Sequence, residues 1–220
     1  MKYKFLSYTL NNHLPTYGKM DSLNVKAQKS IQKGDSCNTY SFSLNNHWAT
    51  HIDAPNHFID NGKKIAEFDA ETFIFKAPKV IELNLEPEEI LRSTEWIEKI
   101  DKKTDILLIQ SGWCKRRNSE VYMSRNPGIH AEVGISLREK LPKLRAVGFD
   151  WISLSSYQHR ELGAEAHRAF LGPDGIGNPL FVIEDMDLSD DLSSLCEVIV
   201  APLRIEGIDS GQCTVIGVFD

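Results

Sequence analysis

The feature that most restricts this chain is the run Asn46-His47-Trp48-Ala49-Thr50-His51-Ile52-Asp53-Ala54-Pro55-Asn56-His57-Phe58, which gathers three of the seven histidines around one aspartate. A helix would put His47 and His51 on one face but rotate Asp53 away, and Pro55 is a poor guest in a helix interior. An extended strand does better. At even offsets His47, His51 and Asp53 point to one side, while Trp48, Thr50 and Ile52 face the opposite layer. A lone histidine is most simply a hydrogen-bonded polar group, but this density points to a metal site, because imidazole and carboxylate suit zinc, manganese or ferrous iron. A catalytic site of that kind keeps a position open for water or substrate and draws its further ligands from elsewhere in the chain. Pro55 turns the chain just past the ligands. His57 can therefore stand beside the ion without being required to hold it, and an imidazole placed there suits general acid/base work.

Around this run the sequence reads as α/β. Val80–Leu83, Ile106–Ile109, Ala146–Phe149 and Val198–Val200 are short apolar runs bounded by polar or Pro/Gly breakers, as buried strands are. Between them the spacing predicts helical stretches over Glu86–Leu91, Ser93–Ile97 and Ile135–Leu141. Alternation of strand and helix argues for an α/β fold. Two connectors, Asn118 to His130 and Leu171 to Pro179, carry enough Gly, Pro and Asn to read as loops. The absence of an internal repeat or linker, at 220 residues, predicts one domain over 1–220.

Composition removes several classes of function. Lys+Arg number 25 against 31 Asp+Glu, so attraction to nucleic acid or to an anionic membrane is not expected. The first ten residues lack the apolar core of a signal peptide, and no apolar run is long enough to span a bilayer. Cys37, Cys114, Cys196 and Cys213 form no C-x-x-C pair and read as reduced thiols of a cytoplasmic protein. Cys114 has no marked histidine partner and is read as structural. Trp48 and Trp113 suit either a core or an aromatic pocket wall, and His13 a solvated loop.

The run His47-Trp48-Ala49-Thr50-His51-Ile52-Asp53-Ala54-Pro55-Asn56-His57 resembles the signature H-x-G-T-H-x-D-x-P-x-H of the cyclase family of metal-dependent hydrolases, with Ala49 in place of its glycine. The likeness continues through Asp105–Trp113, Asn126–Ile129 and Val147–Ser153, and so covers nearly the whole chain. The resemblance implies that His167, in His167-Arg168-Ala169-Phe170-Leu171, and Glu184, in Phe181-Val182-Ile183-Glu184, complete a metal shell with His47, His51 and Asp53. His159 competes with His167 but lacks the trailing Phe-Leu pair. The resemblance further implies the swivelling β/β/α fold of the family, a homodimer or larger homo-oligomer, and Zn2+ or Mn2+ as one or two ions, with Asp53 as the natural bridge. The implied reaction is hydrolysis of a carbon–nitrogen amide bond in a small molecule, either an open aryl formamide (arylformamidase-like) or a cyclic amide of lactam type. A non-catalytic metal- or ligand-binding protein on the same scaffold is the rival from another class. Retention of His57 beside a full ligand set argues against it.

Overall fold

The apolar runs of the sequence become the middle of one mixed sheet. In the computed structural model, which describes residues 1–18, 23–172 and 176–220, the strands are β1 (Lys2–Phe5), β2 (Asn24–Lys29), β3 (Thr39–Ser43), β4 (His51–Asp53), β5 (Ile74–Phe75), β6 (Pro78–Glu82), β7 (Ile90–Leu91), β8 (Ile106–Gln110), β9 (Gly128–Ile129), β10 (Ala146–Phe149), β11 (Phe181–Glu184), β12 (Leu195–Pro202) and β13 (Ser210–Phe219). The α-helices are α1 (Glu120–Ser124), α2 (Ala131–Lys140) and α3 (Arg160–Leu171). Nine strands join in the order β5-β12-β13-β4-β11-β10-β8-β6, with β1 also paired to β13. β6, β8, β10 and β11 run parallel. β4 is inserted antiparallel between β11 and β13.

Two hydrophobic cores lie on the two faces of this sheet, and strand alternation assigns residues to each. Leu107, Ile109, Val147, Phe149 and Val182 face α2 and α3, together with Trp113, Trp151 and Phe170. Their neighbours Ile106, Leu108, Ala146, Phe181 and Ile183 face the other way, against Ile52, Phe75, Val198 and Val215. A parallel strand covered on both sides has no reason to alternate polar with apolar, which is why these segments read as continuous apolar runs. α2 and α3 approach closely because Gly134 faces Phe170: a Cβ at Gly134 would lie 2.4 Å from the Phe170 ring.

Three local expectations differ from what forms. Glu86–Leu91 is not helical. Pro87 suits only a first turn, Glu88 takes a left-handed φ of 67°, and Ile90–Leu91 pairs in parallel with β9. So short a segment cannot pay for its own helix nucleus, and pairing prevails. Ser93–Ile97 forms a 3-10 turn shifted to Glu95–Lys99. The connector from Asn118 to His130 contains α1, whose first turn is capped by the Ser119 hydroxyl, and also β9. Of the second connector, Pro173 and Gly175 lie outside the described residues. α2 spans the expected Ile135–Leu141 helix to within one residue at its end.

Candidate metal centre

The centre is assembled from β4 and the two strands that flank it. His51 and Asp53, two residues apart, share one face of β4, while Ile52 between them is buried in the opposite core. Pairing with β11 sets Glu184 opposite His51, leaving His51 Nε2 3.4 Å from Glu184 Oε2 and 3.6 Å from Asp53 Oδ1. His47 is not on the strand. It sits in the turn that precedes β4, and Ala49, at a left-handed φ of 52°, folds that turn back. The turn, not strand alternation, brings His47 Nδ1 to 3.1 Å from Asp53 Oδ1. Alternation alone could not place His47, because the backbone between it and His51 is a turn and a bend, not strand.

His167 arrives from α3. Its Nδ1 donates to the Gly163 carbonyl at 2.8 Å, which turns Nε2 toward Glu184 Oε1 at 3.5 Å and Asp53 Oδ2 at 3.9 Å, and its ring stacks on Phe58. The His51 ring is fixed in the same way, Nδ1 to the Ala49 carbonyl at 2.8 Å. A ring nitrogen tied to a backbone carbonyl leaves the other free to ligate. Glu184 is held by the backbone N–H of Leu154 at 2.7 Å and by the Ser153 hydroxyl. His159, by contrast, is exposed at the start of α3. Trp48 and Trp113 are buried, the latter donating to the Leu85 carbonyl, and His13 is exposed.

His57 follows Pro55 in a 3-10 turn, with its ring centroid 4.1 Å from that of His47. Its partner is a residue the sequence did not disclose. Asp209, just before β13, accepts from His57 Nδ1 at 2.7 Å and lies 3.0 Å from His47 Nε2. No motif or periodicity marks Asp209. The only clue would have been the pairing of Ser210 with Asp53 across β13 and β4.

Charge holds the cluster together and also shows what it lacks. Burial works against a charged His47, but the carboxylates of Asp209 and Asp53 outweigh it and push its pKa up to about 10. Burial would raise Asp53, yet His57, His51 and His47 hold it well below the usual carboxylate range. Asp209, also partly desolvated, is held low by its hydrogen bonds to His47 and His57. Burial opposes protonation of His167, but Glu184 overrides it and raises its pKa. Even so, His51 Nε2 and both carboxylate oxygens of Asp53 are buried without a hydrogen-bond partner. Unpartnered buried polar atoms are costly, and here they converge. Candidate ligand atoms of His47, Asp53 and His57 lie within 4.8 Å of one another, as do those of His51, Asp53 and Glu184. Nitrogen and oxygen donors around a shared carboxylate fit a divalent metal ion.

Fold and donor set together define an α/β protein with a buried histidine–carboxylate centre at the junction of parallel and antiparallel strands. The family described as Putative cyclase matches residues 5–156, and the chain belongs to it. Kynurenine formamidase of Bacillus cereus (strain ATCC 14579) is 26% identical over 206 residues, covering 93% of this chain and 91% of that one. The corresponding protein of Bacillus thuringiensis subsp. konkukian is 25% identical over 205 residues, with the same coverage. Among solved structures, isatin hydrolase A from Labrenzia aggregata superposes with a TM-score of 0.80 at 20% identity, covering 100% of this chain and 94% of that one. A protein described as a predicted metal-dependent hydrolase from Bacillus stearothermophilus gives 0.73 at 18% identity, covering 98% and 97%. The expected α/β fold of this family is the fold observed.

Proposed function

We propose that this protein is a metal-dependent hydrolase of a carbon–nitrogen amide bond, with an aryl formamide as its substrate class. The observation that carries this reading is the buried Asp53 carboxylate, which makes no hydrogen bond and is set among His47, His51, His167 and Glu184, with the His57–Asp209 pair alongside. Zn2+ or Mn2+, as one or two ions, would be held by those five residues. Such an ion supplies Lewis acidity and lowers the pKa of water toward ~7. The relatives called kynurenine formamidase support a formamide. The neighbours called isatin hydrolase support a cyclic amide as the second reading.

Amide cleavage also needs a proton delivered to the departing nitrogen, and His57 is the residue placed to supply it. Asp209 fixes His57 Nδ1 and so leaves Nε2 as the atom that exchanges the proton, in the manner of a carboxylate that orients a catalytic imidazole. The non-catalytic rival is separated from this reading by turnover, since a carboxylate-held imidazole beside the centre serves proton transfer only where a substrate is cleaved. The absence of a nucleic-acid or anionic-membrane partner accords with the net charge of −6, and a cytoplasmic location with four cysteines that form no disulfide. Among the described residues no helix is long and apolar enough to cross a membrane. A homodimer or larger homo-oligomer accords with the exposed apolar face of the β2–β3 hairpin, on which Val25 pairs with Phe42 and Ala27 with Tyr40.

The test is a panel of aryl formamides and lactams given to metal-reconstituted wild type and to His57→Ala. The variant should keep its metal and fold and lose roughly 10²–10⁴-fold in turnover, the usual range for a positioned acid/base. Wild-type turnover by His57→Ala with its metal intact would remove His57 from the mechanism. No turnover of any member of the panel by wild type would remove the amide.

A further inference from the structure

Directly behind the centre lies a second charged cluster that none of the chemistry above uses. Asp185, next in the chain after Glu184, is 1% exposed, yet it is ionisable and adopts a left-handed φ of 52°. In an extended strand it would continue β11; instead it ends the strand at Glu184. Its carboxylate receives two hydrogen bonds from the Arg117 guanidinium, Nε at 2.9 Å and Nη2 at 2.6 Å, and a third from the Tyr122 hydroxyl. Arg117 lies over the Tyr8 ring at 3.7 Å. The backbone of Asp185 is tied as well: its N–H donates to the Trp151 carbonyl, and its carbonyl accepts from the Thr50 hydroxyl at 2.6 Å.

One of these bonds joins the ends of the two strands that carry His51, Asp53 and Glu184. Thr50 immediately precedes His51, and Asp185 immediately follows Glu184, so one hydrogen bond fixes the neighbours of two side chains whose ligating atoms lie 3.4 Å apart. As a device for stability alone, a buried Arg–Asp pair is a poor choice, since apolar residues of similar volume often serve as well or better. What a bidentate pair provides is fixed geometry. A left-handed aspartate persists only where its surroundings determine it.

Resting on the metal reading above, we infer that Asp185, clamped by Arg117 and Tyr122, is a positioning residue that sets Glu184 against His51 for ion binding. It does not touch the ion or the substrate. It acts through the backbone at the end of β11, and Arg117 acts through it.

The test uses Co2+ as the probe, titrated into metal-free full-length protein and followed by its visible absorption, with far-UV circular dichroism as the check on folding. Asp185→Asn keeps the shape and tolerates the left-handed backbone but strands the Arg117 charge; Arg117→Met/Asp185→Asn strands none. Both should fold like wild type and bind Co2+ about 10–100-fold more weakly, the usual cost of disturbing groups behind a ligand, with an altered absorption band. Should the single variant fail to fold, the double variant decides. A wild-type dissociation constant and band in the folded double variant would overturn the inference and leave the metal reading standing. Failure of the wild type itself to bind Co2+ would overturn both.

Discussion

At Ala49 the family signature has glycine and this chain does not, and the structure gives the reason for the glycine: φ is 52°. The left-handed region costs a residue with a Cβ about 1–2 kcal/mol, while the extra freedom glycine has when unfolded costs about 0.5–1 kcal/mol. Relief of strain wins, so Ala49→Gly should stabilise the protein by roughly 0.5–1 kcal/mol in urea unfolding; a less stable glycine variant would show that the turn is not strained. His47 lends itself to a second test. With only protein neighbours around it, burial is outweighed by Asp209 and Asp53, and its pKa is pushed up to about 10, whereas a ligating imidazole must be neutral. Ion uptake at neutral pH should therefore expel a proton, and affinity should fall as pH falls, by up to about tenfold per unit for each proton displaced. Titration calorimetry in buffers of different ionisation enthalpy reads the proton directly, and uptake without proton release would exclude His47 as a ligand. At this scale His51 and Asp53 were legible, because a period of two is a local property. Asp209 was not, since its place beside His57 depends on how β13 pairs with β4.

Elements were legible where their own sequence decided them. Ile106–Gln110 and Ala146–Phe149 are apolar enough to be buried strands in any α/β fold. Glu86–Leu91 has helical composition, yet pairing between β7 and β9 overrode it. α3 was not among the helices expected, although its apolar and polar residues segregate to opposite faces more sharply than those of α2, with Ala166, His167, Phe170 and Leu171 buried. The β2–β3 hairpin departs furthest from burial: every residue of both strands is exposed, Tyr40 and Phe42 at 62% each. A two-stranded hairpin with one apolar face is marginal in water alone. If that face is where two copies meet, light scattering should give wild type twice the chain mass or more, and Tyr40→Ser/Phe42→Ser should give the monomer with its circular dichroism unchanged. A monomeric wild type would leave the hairpin without this role.

Over the whole molecule, the decisive event is the insertion of β4 antiparallel between the last parallel strand and β13. Strand order of that kind is fixed by contacts distant in sequence, so composition and periodicity gave the layers without the order. The insertion places β4's two ligand candidates between Glu184 on one side and Ser210, next to Asp209, on the other, with His167 brought over them by α3. All the proposed chemistry depends on a divalent ion in that position. The most direct measurement is metal content by plasma mass spectrometry, after reconstitution with Zn2+ or Mn2+ and removal of excess, for wild type beside Asp53→Ala. Wild type should hold about one to two equivalents per chain, and Asp53→Ala, which loses the carboxylate shared by the whole cluster, should hold close to none while remaining folded. A wild type that holds no metal, or an Asp53→Ala variant that holds as much as wild type, would contradict the account.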